Sequence, residues 1–368
     1  MISLDTENTT WSKGNAFDSR NFNVCISTYD GRDARVYWPE TRGELGAILS
    51  EHSLVIFFNA KYDLHWLRKL GFSLPNRIWC CQVGEFGLCR QSSAYPSLDD
   101  CASKYNLQSK LSVIEEEYWS KGINTHEIPR HILAEYAAQD AILTYQVYLK
   151  QQELIPAHMH RLLSLQMQDL LVLEEMEWNG LHFDEEQSLK KAKEAETEIA
   201  AIQERLGIHH TIPCFNWASN DHLSALLYGG QVKETIKVPN GVYKTGAKAG
   251  LPKFQNQVVT YTLPRKYKPI RGSENKKEGT WSVDESYLRR LDSSDLIDGI
   301  LKIKELQKLT STYYEGLPAL RQKLNYEPNT LHTQFNQVVA RTGRLSSSNP
   351  NLQNLSEAAQ EVFTSRYE

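Results

Sequence analysis

The hydrophobic pattern of the first 155 residues alternates between strand-like and helix-like segments. Strands are indicated by short apolar or alternating runs, and helices by apolar residues at spacings of three and four. The predicted strands span residues 2–7, 22–28, 34–38 and 54–58, and the predicted helices span 41–51, 60–70, 97–106 and 128–150. Strands that first follow one another and then alternate with helices predict an α/β fold, a mixed sheet flanked by helices.

The pattern changes after this region. Leu and Met residues recur at helical spacing between 162 and 177, and a charged helix is predicted from about 185 to 206. Residues 231–280 lack helical periodicity and are rich in Gly, Pro, Lys and Thr, which predicts loops and short hairpins. We therefore predict a first domain at 1–155 and a second region, mainly α-helical, at 156–368.

Length and composition agree with a soluble multidomain protein. The chain has 368 residues, of which 40% are hydrophobic and 23% are charged. No apolar run reaches the roughly 18 residues of a membrane span, and no leader segment precedes the first predicted strand, so we expect a cytoplasmic protein without membrane contact. Cys80, Cys81, Cys89 and Cys101 lack the spacing of a zinc site and are predicted to be buried thiols.

Charge is unevenly distributed along the chain. The formal net charge is −4, and residues 1–160 carry 15 basic against 19 acidic side chains. Residues 231–280 hold 11 basic and 3 acidic residues. This basic segment is therefore where we expect contact with a phosphate backbone. The alternative is a solvated loop, and composition does not separate the two.

Acidic residues at three places suggest a metal site. Asp5 and Glu7 lie two apart on a predicted strand, so they share one face about 7 Å apart and need a positive partner. Asp63 follows the apolar run at 53–58, in the first turns of a predicted helix. Tyr136 and Asp140 form an i, i+4 pair on one helix face. Oxygen-rich clusters of this kind suit hard divalent cations.

Each of these features also has an ordinary structural explanation. Acidic pairs are common on exposed strands, and an acid in the first turn of a helix interacts favourably with the helix dipole. The i, i+4 pair could form a local hydrogen bond.

Taken in order, the three motifs resemble a known family. LDTE at 4–7, N-x-x-x-D at 59–63 and Y-x-x-x-D at 136–140 are similar to the motifs of the DEDDy 3′–5′ exonucleases, above all the proofreading domain of family A DNA polymerases. The resemblance implies an RNase H-like fold and two divalent ions, Mg²⁺ with Mn²⁺ as a substitute. The implied site residues are the ligands Asp5, Glu7, Asp63 and Asp140, Tyr136 as the residue that orients the attacking water, and Asn59 as a DNA contact.

A second segment, 335–355, carries the same resemblance. It contains TGRLSS-x-x-PNLQN, in which amides, hydroxyls and two arginines surround Gly343 and Pro350. The resemblance is to the primer-template-binding segment of family A polymerases, preceded by a thumb with a basic insertion at 231–280. The implied DNA contacts are Arg341, Arg344, Asn351, Gln353 and Asn354, with Lys244 in the insertion and Lys308 on a thumb helix. Ser356 and Gln360 depart from the family pattern, where Pro and Arg are usual.

The expected function is that of a proofreading exonuclease that also supplies the primer-template-binding part of a DNA polymerase. The catalytic palm motifs of the family follow the last matching segment and are not found in this sequence. We therefore expect DNA synthesis to need a second chain that carries palm and fingers, as in a split or interrupted polymerase of a phage; a truncated product is the other explanation of the missing motifs. A non-catalytic DNA-binding or assembly subunit and a stand-alone DEDD nuclease are the alternatives.

Overall fold

The computed structural model describes residues 1–242, 244–245 and 250–365. The strands are β1 (Ile2–Asn8), β2 (Asn23–Tyr29), β3 (Ala34–Tyr37), β4 (Val55–Phe57), β5 (Ile78–Cys80), β6 (Leu181–His182), β7 (Gly230–Val242), β8 (Pro252–Leu263), β9 (Thr330–Leu331), β10 (Gln334–Asn336) and β11 (Ser346–Ser348). The α-helices are α1 (Leu45–Glu51), α2 (Ala60–Lys69), α3 (Cys81–Leu88), α4 (Leu98–Lys104), α5 (Val113–Glu117), α6 (Arg130–Leu154), α7 (His160–Asn179), α8 (Glu185–Leu206), α9 (Ile208–Thr211), α10 (Asn220–Tyr228), α11 (Glu285–Leu288), α12 (Asp295–Leu309), α13 (Gly316–Leu324) and α14 (Glu357–Gln360).

A five-stranded mixed sheet, ordered β3-β2-β1-β4-β5, organises the N-terminal part. β1 pairs antiparallel with β2 and parallel with β4, so it lies at the centre of the sheet. Its residues Ile2 and Leu4 are buried in the main hydrophobic core. The predicted α/β class, a mixed sheet flanked by helices in the RNase H-like arrangement, is confirmed.

The predicted strands and helices of this part correspond to β1 to β4 and to α1, α2, α4 and α6. Three of the named elements were missed, the strand β5 and the helices α3 and α5. β5 has only three residues and continues directly into α3 at Cys81 with no turn residue between them. The sequence therefore shows one short apolar run, in which the two elements cannot be separated. The helix α4 begins with a capping hydrogen bond, in which the Ser97 hydroxyl accepts from the Asp100 backbone N–H at 3.0 Å.

The chain forms two compact units. The first comprises Met1–Glu185 together with the segment from Leu317 onward, and the second comprises Glu186–Gly316. In the first unit, β9 pairs with β6 and β10 pairs with β11. Compact units do not decide where a functional domain ends, so the boundary between 155 and 156 stays a prediction.

The second unit is helical apart from one long hairpin. Its core includes Leu226 and Tyr228 on α10 and Ile300 and Ile303 on α12. β7 and β8 form an antiparallel hairpin of 13 and 12 residues, where loops and short hairpins were expected. β7 alternates half-buried and exposed side chains over its first ten residues and β8 over its last five, whereas the far half of the hairpin is exposed on both faces, so a strand pattern covers only part of its length. Residues 243 and 246–249 of the predicted basic insertion lie outside the described residues.

All six cysteines are free thiols. Cys80, Cys81 and Cys101 are buried as predicted, and burial raises the pKa of Cys101 to about 12. Cys89 is only partly buried, because it lies at the C-terminal end of α3. Among the described residues, no helix is long and apolar enough to cross a lipid bilayer.

Candidate active site

The carboxylates of Asp5, Glu7 and Asp140 meet beside the centre of the sheet. One carboxylate oxygen from each residue lies within 4.8 Å of the oxygens from the other two. Asp5 and Glu7 stand on the same face of β1, since side chains two apart on a strand point the same way. Asp140 reaches them from α6, and the Ser3 hydroxyl ties β1 to this helix by donating to the Ala141 carbonyl at 2.7 Å.

Asp63 lies in the first turn of α2 and contacts β1 through Thr6. Its Oδ1 accepts two hydrogen bonds from Thr6, one from the backbone N–H at 3.1 Å and one from the hydroxyl at 2.8 Å. The parallel pairing of β1 with β4 brings the start of α2 to this place, because α2 follows β4 after two residues. Asp63 is buried and interacts electrostatically with Asp5, although it is not among the three acids within 4.8 Å.

Tyr136 is buried one helical turn before Asp140 on α6. The ring of Trp119 packs edge-on against the Tyr136 ring, with centroids 5.9 Å apart. Burial, and next the negative charge of Glu7, raise the pKa of the Tyr136 phenol. The hydroxyl therefore stays protonated and can act as a hydrogen-bond donor.

Ionisation of the four acids is unfavourable when no cation is present, because they are buried and their negative charges repel one another. Burial, followed by the charge of Asp140, raises the pKa of Asp5 to about 7. Burial and then the charge of Asp5 raise the pKa values of Glu7 and Asp63 well above their ordinary values. Burial also raises the pKa of Asp140, which Lys110 opposes. Like charges in a buried site disfavour ionisation in this way unless a cation offsets them.

Lys110 is a member of the site that sequence reasoning missed. Its ammonium Nζ lies 2.6 Å from Asp140 Oδ2 and 4.8 Å from the centroid of the Tyr136 ring. Burial lowers the pKa of Lys110. The negative charge of Asp140 and its hydrogen bond raise it by more, together with the charges of Asp5 and Glu7, so the pKa lies above its ordinary value. Lys110 lies between α4 and α5 in a segment that matches no motif, so no local signal could have identified it.

The donor set fits a hard divalent cation. All the candidate ligand atoms are carboxylate oxygens, which Mg²⁺ and related ions prefer. Asp140 Oδ1 is buried and has no hydrogen-bond partner among the described residues, so it is open to a ligand. Burying such an oxygen without a partner is unfavourable, and a cation would remove that cost.

Two cavities of the first unit meet near this cluster. The smaller has a volume of about 330 Å³ and is lined by Asp5, Glu7, Asp140 and Tyr136, among others. The larger has a volume of about 620 Å³ and is lined by the predicted DNA contact Asn59, at the start of α2. Lys13 and Tyr62 line both cavities, and Lys13 is exposed. The cavities offer a path towards the carboxylates that Lys13 makes partly basic.

The other predicted DNA contacts are exposed residues of both units. Arg341, Arg344, Asn351, Gln353 and Asn354 belong to the first unit. Lys244 lies just beyond β7 and Lys308 in the last turn of α12, both in the second unit. The side chain of Asn351 makes local hydrogen bonds: its Oδ1 accepts from the Ser347 hydroxyl at 3.0 Å and from the Gln353 N–H at 3.1 Å. The contacts of these residues with DNA stay predictions.

Comparison with known families identifies the class of the N-terminal part. Residues 1–156 match the family model described as 3′-5′ exonuclease, in agreement with the sheet order and the carboxylate cluster. Residues 255–367 match the model described as DNA polymerase family A. The chain is thus similar to a 3′–5′ exonuclease over its N-terminal part and to the family A DNA polymerases over its C-terminal part.

Individual relatives agree with this assignment. The chain is 28% identical over 299 residues to DNA polymerase I of Synechocystis sp. and 29% identical over 304 residues to DNA polymerase I of Chloroflexus aurantiacus. Each alignment covers 81% of this chain but only 26% and 28% of the relative, so the chain spans about a quarter of their length. These relatives are bacterial and give no support to the expected phage origin.

A solved structure has the same fold. It is described as the POL domain of Pol1 from M. smegmatis in complex with DNA primer-template and dNTP. The TM-score is 0.63 at 20% identity, with 98% of this chain and 53% of that chain covered. At this identity the likeness concerns the fold.

Proposed function

We propose that this chain is a metal-dependent 3′–5′ exonuclease that removes nucleotides from DNA 3′ ends. The observation that carries the proposal is the convergence of Asp5, Glu7 and Asp140 within 4.8 Å, with Asp63 held against the same strand. Three separate elements contribute these acids, and bringing them together is electrostatically unfavourable. A purely structural cluster would gain nothing that offsets this repulsion, whereas a bound cation would.

The proposed metal ligands are Asp5, Glu7, Asp63 and Asp140. Two Mg²⁺ ions, for which Mn²⁺ can substitute, would when bound activate a water molecule and stabilise the departing 3′ oxygen. Tyr136 keeps its proton and donates it in a hydrogen bond that orients the water. Asn59 contacts the DNA at the mouth of the larger cavity.

The second part of the proposal is primer-template binding in DNA replication, as in a proofreading polymerase. The match of residues 255–367 to DNA polymerase family A supports it. Arg341, Arg344, Gln353 and Asn354 are exposed and carry hydrogen-bond donors, which suits contacts with phosphates and minor-groove acceptors. The requirement for a second chain with palm and fingers has no support in the comparisons and stays a prediction.

Digestion of a 5′-labelled single-stranded DNA tests the exonuclease proposal. The wild-type chain should shorten the DNA from its 3′ end with Mg²⁺, stop when the ion is chelated, and resume when it is restored. Asp5→Ala with Glu7→Ala should abolish digestion, because the ligands are removed. The matched control is Glu115→Ala with Glu116→Ala, two exposed acids of α5, which should digest normally.

The same assay separates the alternatives. Undiminished digestion by the Asp5/Glu7 double variant would refute the assigned site. Primer-template binding without any digestion by the wild type would favour a DNA-binding subunit. Digestion without primer-template binding would favour a stand-alone nuclease.

A further inference from the structure

Lys110 brings a positive charge into the carboxylate cluster. Its Nζ is 2.6 Å from Asp140 Oδ2, and both side chains are largely buried, with exposed fractions of 26% and 5%. Among the described residues, no other Lys, Arg or His forms an ion pair with Asp5, Glu7 or Asp140. The ammonium group is therefore the built-in counter-ion of the cluster.

The position of Lys110 is defined on two sides. Asp140 Oδ2 holds the ammonium by a charge-assisted hydrogen bond, and the Tyr136 ring lies under it at 4.8 Å. Lys110 also lines the 330 Å³ cavity together with the acids. A surface lysine with only a chance ion pair would not be enclosed by two of the predicted functional side chains.

The same contact blocks one oxygen of a predicted metal ligand. Asp140 Oδ2 is occupied by the ammonium group, whereas Oδ1 has no hydrogen-bond partner in the part of the chain that the structure describes. A divalent ion that uses Asp140 must either share the carboxylate with a nearby positive charge or displace it. In both cases, the charge of Lys110 opposes binding of the ion, since like charges repel strongly at short range in a partly buried site.

We propose that Lys110 is an exchangeable counter-ion that stabilises the metal-free carboxylate cluster and competes with the divalent ion for Asp140. It thereby sets the ion concentration at which the site fills. Lys110 is a positioning residue in this scheme. The inference rests on the proposed function, because it presumes that the cluster binds divalent ions.

Mn²⁺ titration of the full chain, followed by electron paramagnetic resonance of the free ion, tests this inference. Lys110→Met should bind Mn²⁺ about tenfold more tightly than the wild type, which corresponds to about 1.4 kcal/mol. The metal-free variant should also unfold at a lower temperature than the metal-free wild type, and saturating Mn²⁺ should reduce that difference. Lys110→Arg keeps the positive charge and should keep the wild-type affinity.

Lys104→Met is the matched control. Lys104 Nζ forms an ion pair at 2.5 Å with Glu85, another buried acid, from the helix that precedes Lys110. Its loss should lower the melting temperature equally with and without Mn²⁺ and leave the affinity for Mn²⁺ unchanged. If Lys110→Met does not fold, Lys110→Gln serves the same comparison, since it also removes the charge.

The outcomes distinguish this inference from the proposed function. Glu204, His209 and His210 form a second cluster that could bind an ion, so binding by the Asp5/Glu7 double alanine variant is subtracted as background. A wild-type chain that binds no more Mn²⁺ than this variant would refute the metal site itself. Clear wild-type binding with equal or weaker affinity in Lys110→Met would overturn only the role of Lys110.

Discussion

Individual carboxylates of this chain are placed where ionisation is unfavourable without a cation. Asp5, Glu7 and Asp63 are held in a buried region, and each acid raises the pKa of a neighbour. The energetic preference for a bound cation is therefore a property of particular side chains rather than of net charge. The formal net charge of −4 is small, but the local charge at the cluster is not.

The pKa of Asp5 leads to a prediction about metal-free stability. Because its folded pKa is about 7 against 3.8 for the ordinary value, the folded state binds more protons between these pH values. The free energy of unfolding should therefore fall as pH rises from about 4 to 7. Asp5→Asn removes this ionisation, so its melting temperature relative to the wild type should be higher at pH 8 than at pH 5.

Thermal unfolding of both proteins in the presence of a chelator measures the effect. Saturation with Mg²⁺ should remove the wild-type loss at pH 8. A constant difference between the two proteins at both pH values would show that Asp5 titrates normally.

Tyr136 supports a second prediction at the residue scale. Tyr136→Phe keeps the buried ring but removes the hydroxyl that orients the water, so the rate of digestion should fall about 10²-fold. The affinity for Mn²⁺ should be unchanged, because the acids remain. Single-turnover digestion measures the rate, and a loss as complete as that of Asp5→Ala would assign Tyr136 another role.

A buried ion pair and its hydrogen bonds connect the helices α2 and α7 with the strand β10. Glu177 Oε1 accepts hydrogen bonds from the Lys61 ammonium of α2 and from the Phe335 N–H of β10. Lys61 also donates to the Phe335 carbonyl. This contact joins the helix that carries Asp63 to the strand that begins the predicted primer-template segment.

Glu177→Ala should lower the free energy of unfolding by about 3–5 kcal/mol, because it leaves the Lys61 charge buried without its partner. Chemical denaturation measures the loss. Glu175→Ala, at an exposed position of the same helix, should change stability by less than about 0.5 kcal/mol. Equal effects of the two variants would show that the ion pair contributes nothing.

At the scale of the whole molecule, we expect digestion and primer-template binding to depend on different residues. Arg341→Ala with Arg344→Ala should weaken binding of a primer-template duplex and reduce its salt dependence by a slope of about 1–2. Digestion of single-stranded DNA should be retained, since both arginines lie outside the cavity of the acids.

Fluorescence anisotropy at several salt concentrations measures the binding. The control is Arg289→Ala with Arg290→Ala, two exposed residues outside the predicted contacts, which should leave the slope unchanged. An unchanged slope in the Arg341/Arg344 variant as well would contradict the assigned phosphate contacts.

The sequence by itself determined the features that depend on local periodicity. Alternation along β1 puts Asp5 and Glu7 on one face, and the helical repeat of α6 puts Tyr136 one turn before Asp140. These relations follow from backbone geometry, so they could be read without knowing the rest of the fold. The full length of the hairpin β7–β8 could not, since its far half is exposed on both faces and only the residues near the second unit's core alternate.

Only the tertiary structure decided which segments meet. The parallel pairing of β4 with β1 sets the Asp63 carboxylate against Thr6, and the path of the chain between α4 and α5 carries Lys110 to Asp140. The Lys61–Glu177 contact likewise joins residues 116 positions apart. Such contacts depend on packing and chain closure over long separations, which have no period in the sequence, and they decide the electrostatics of the site.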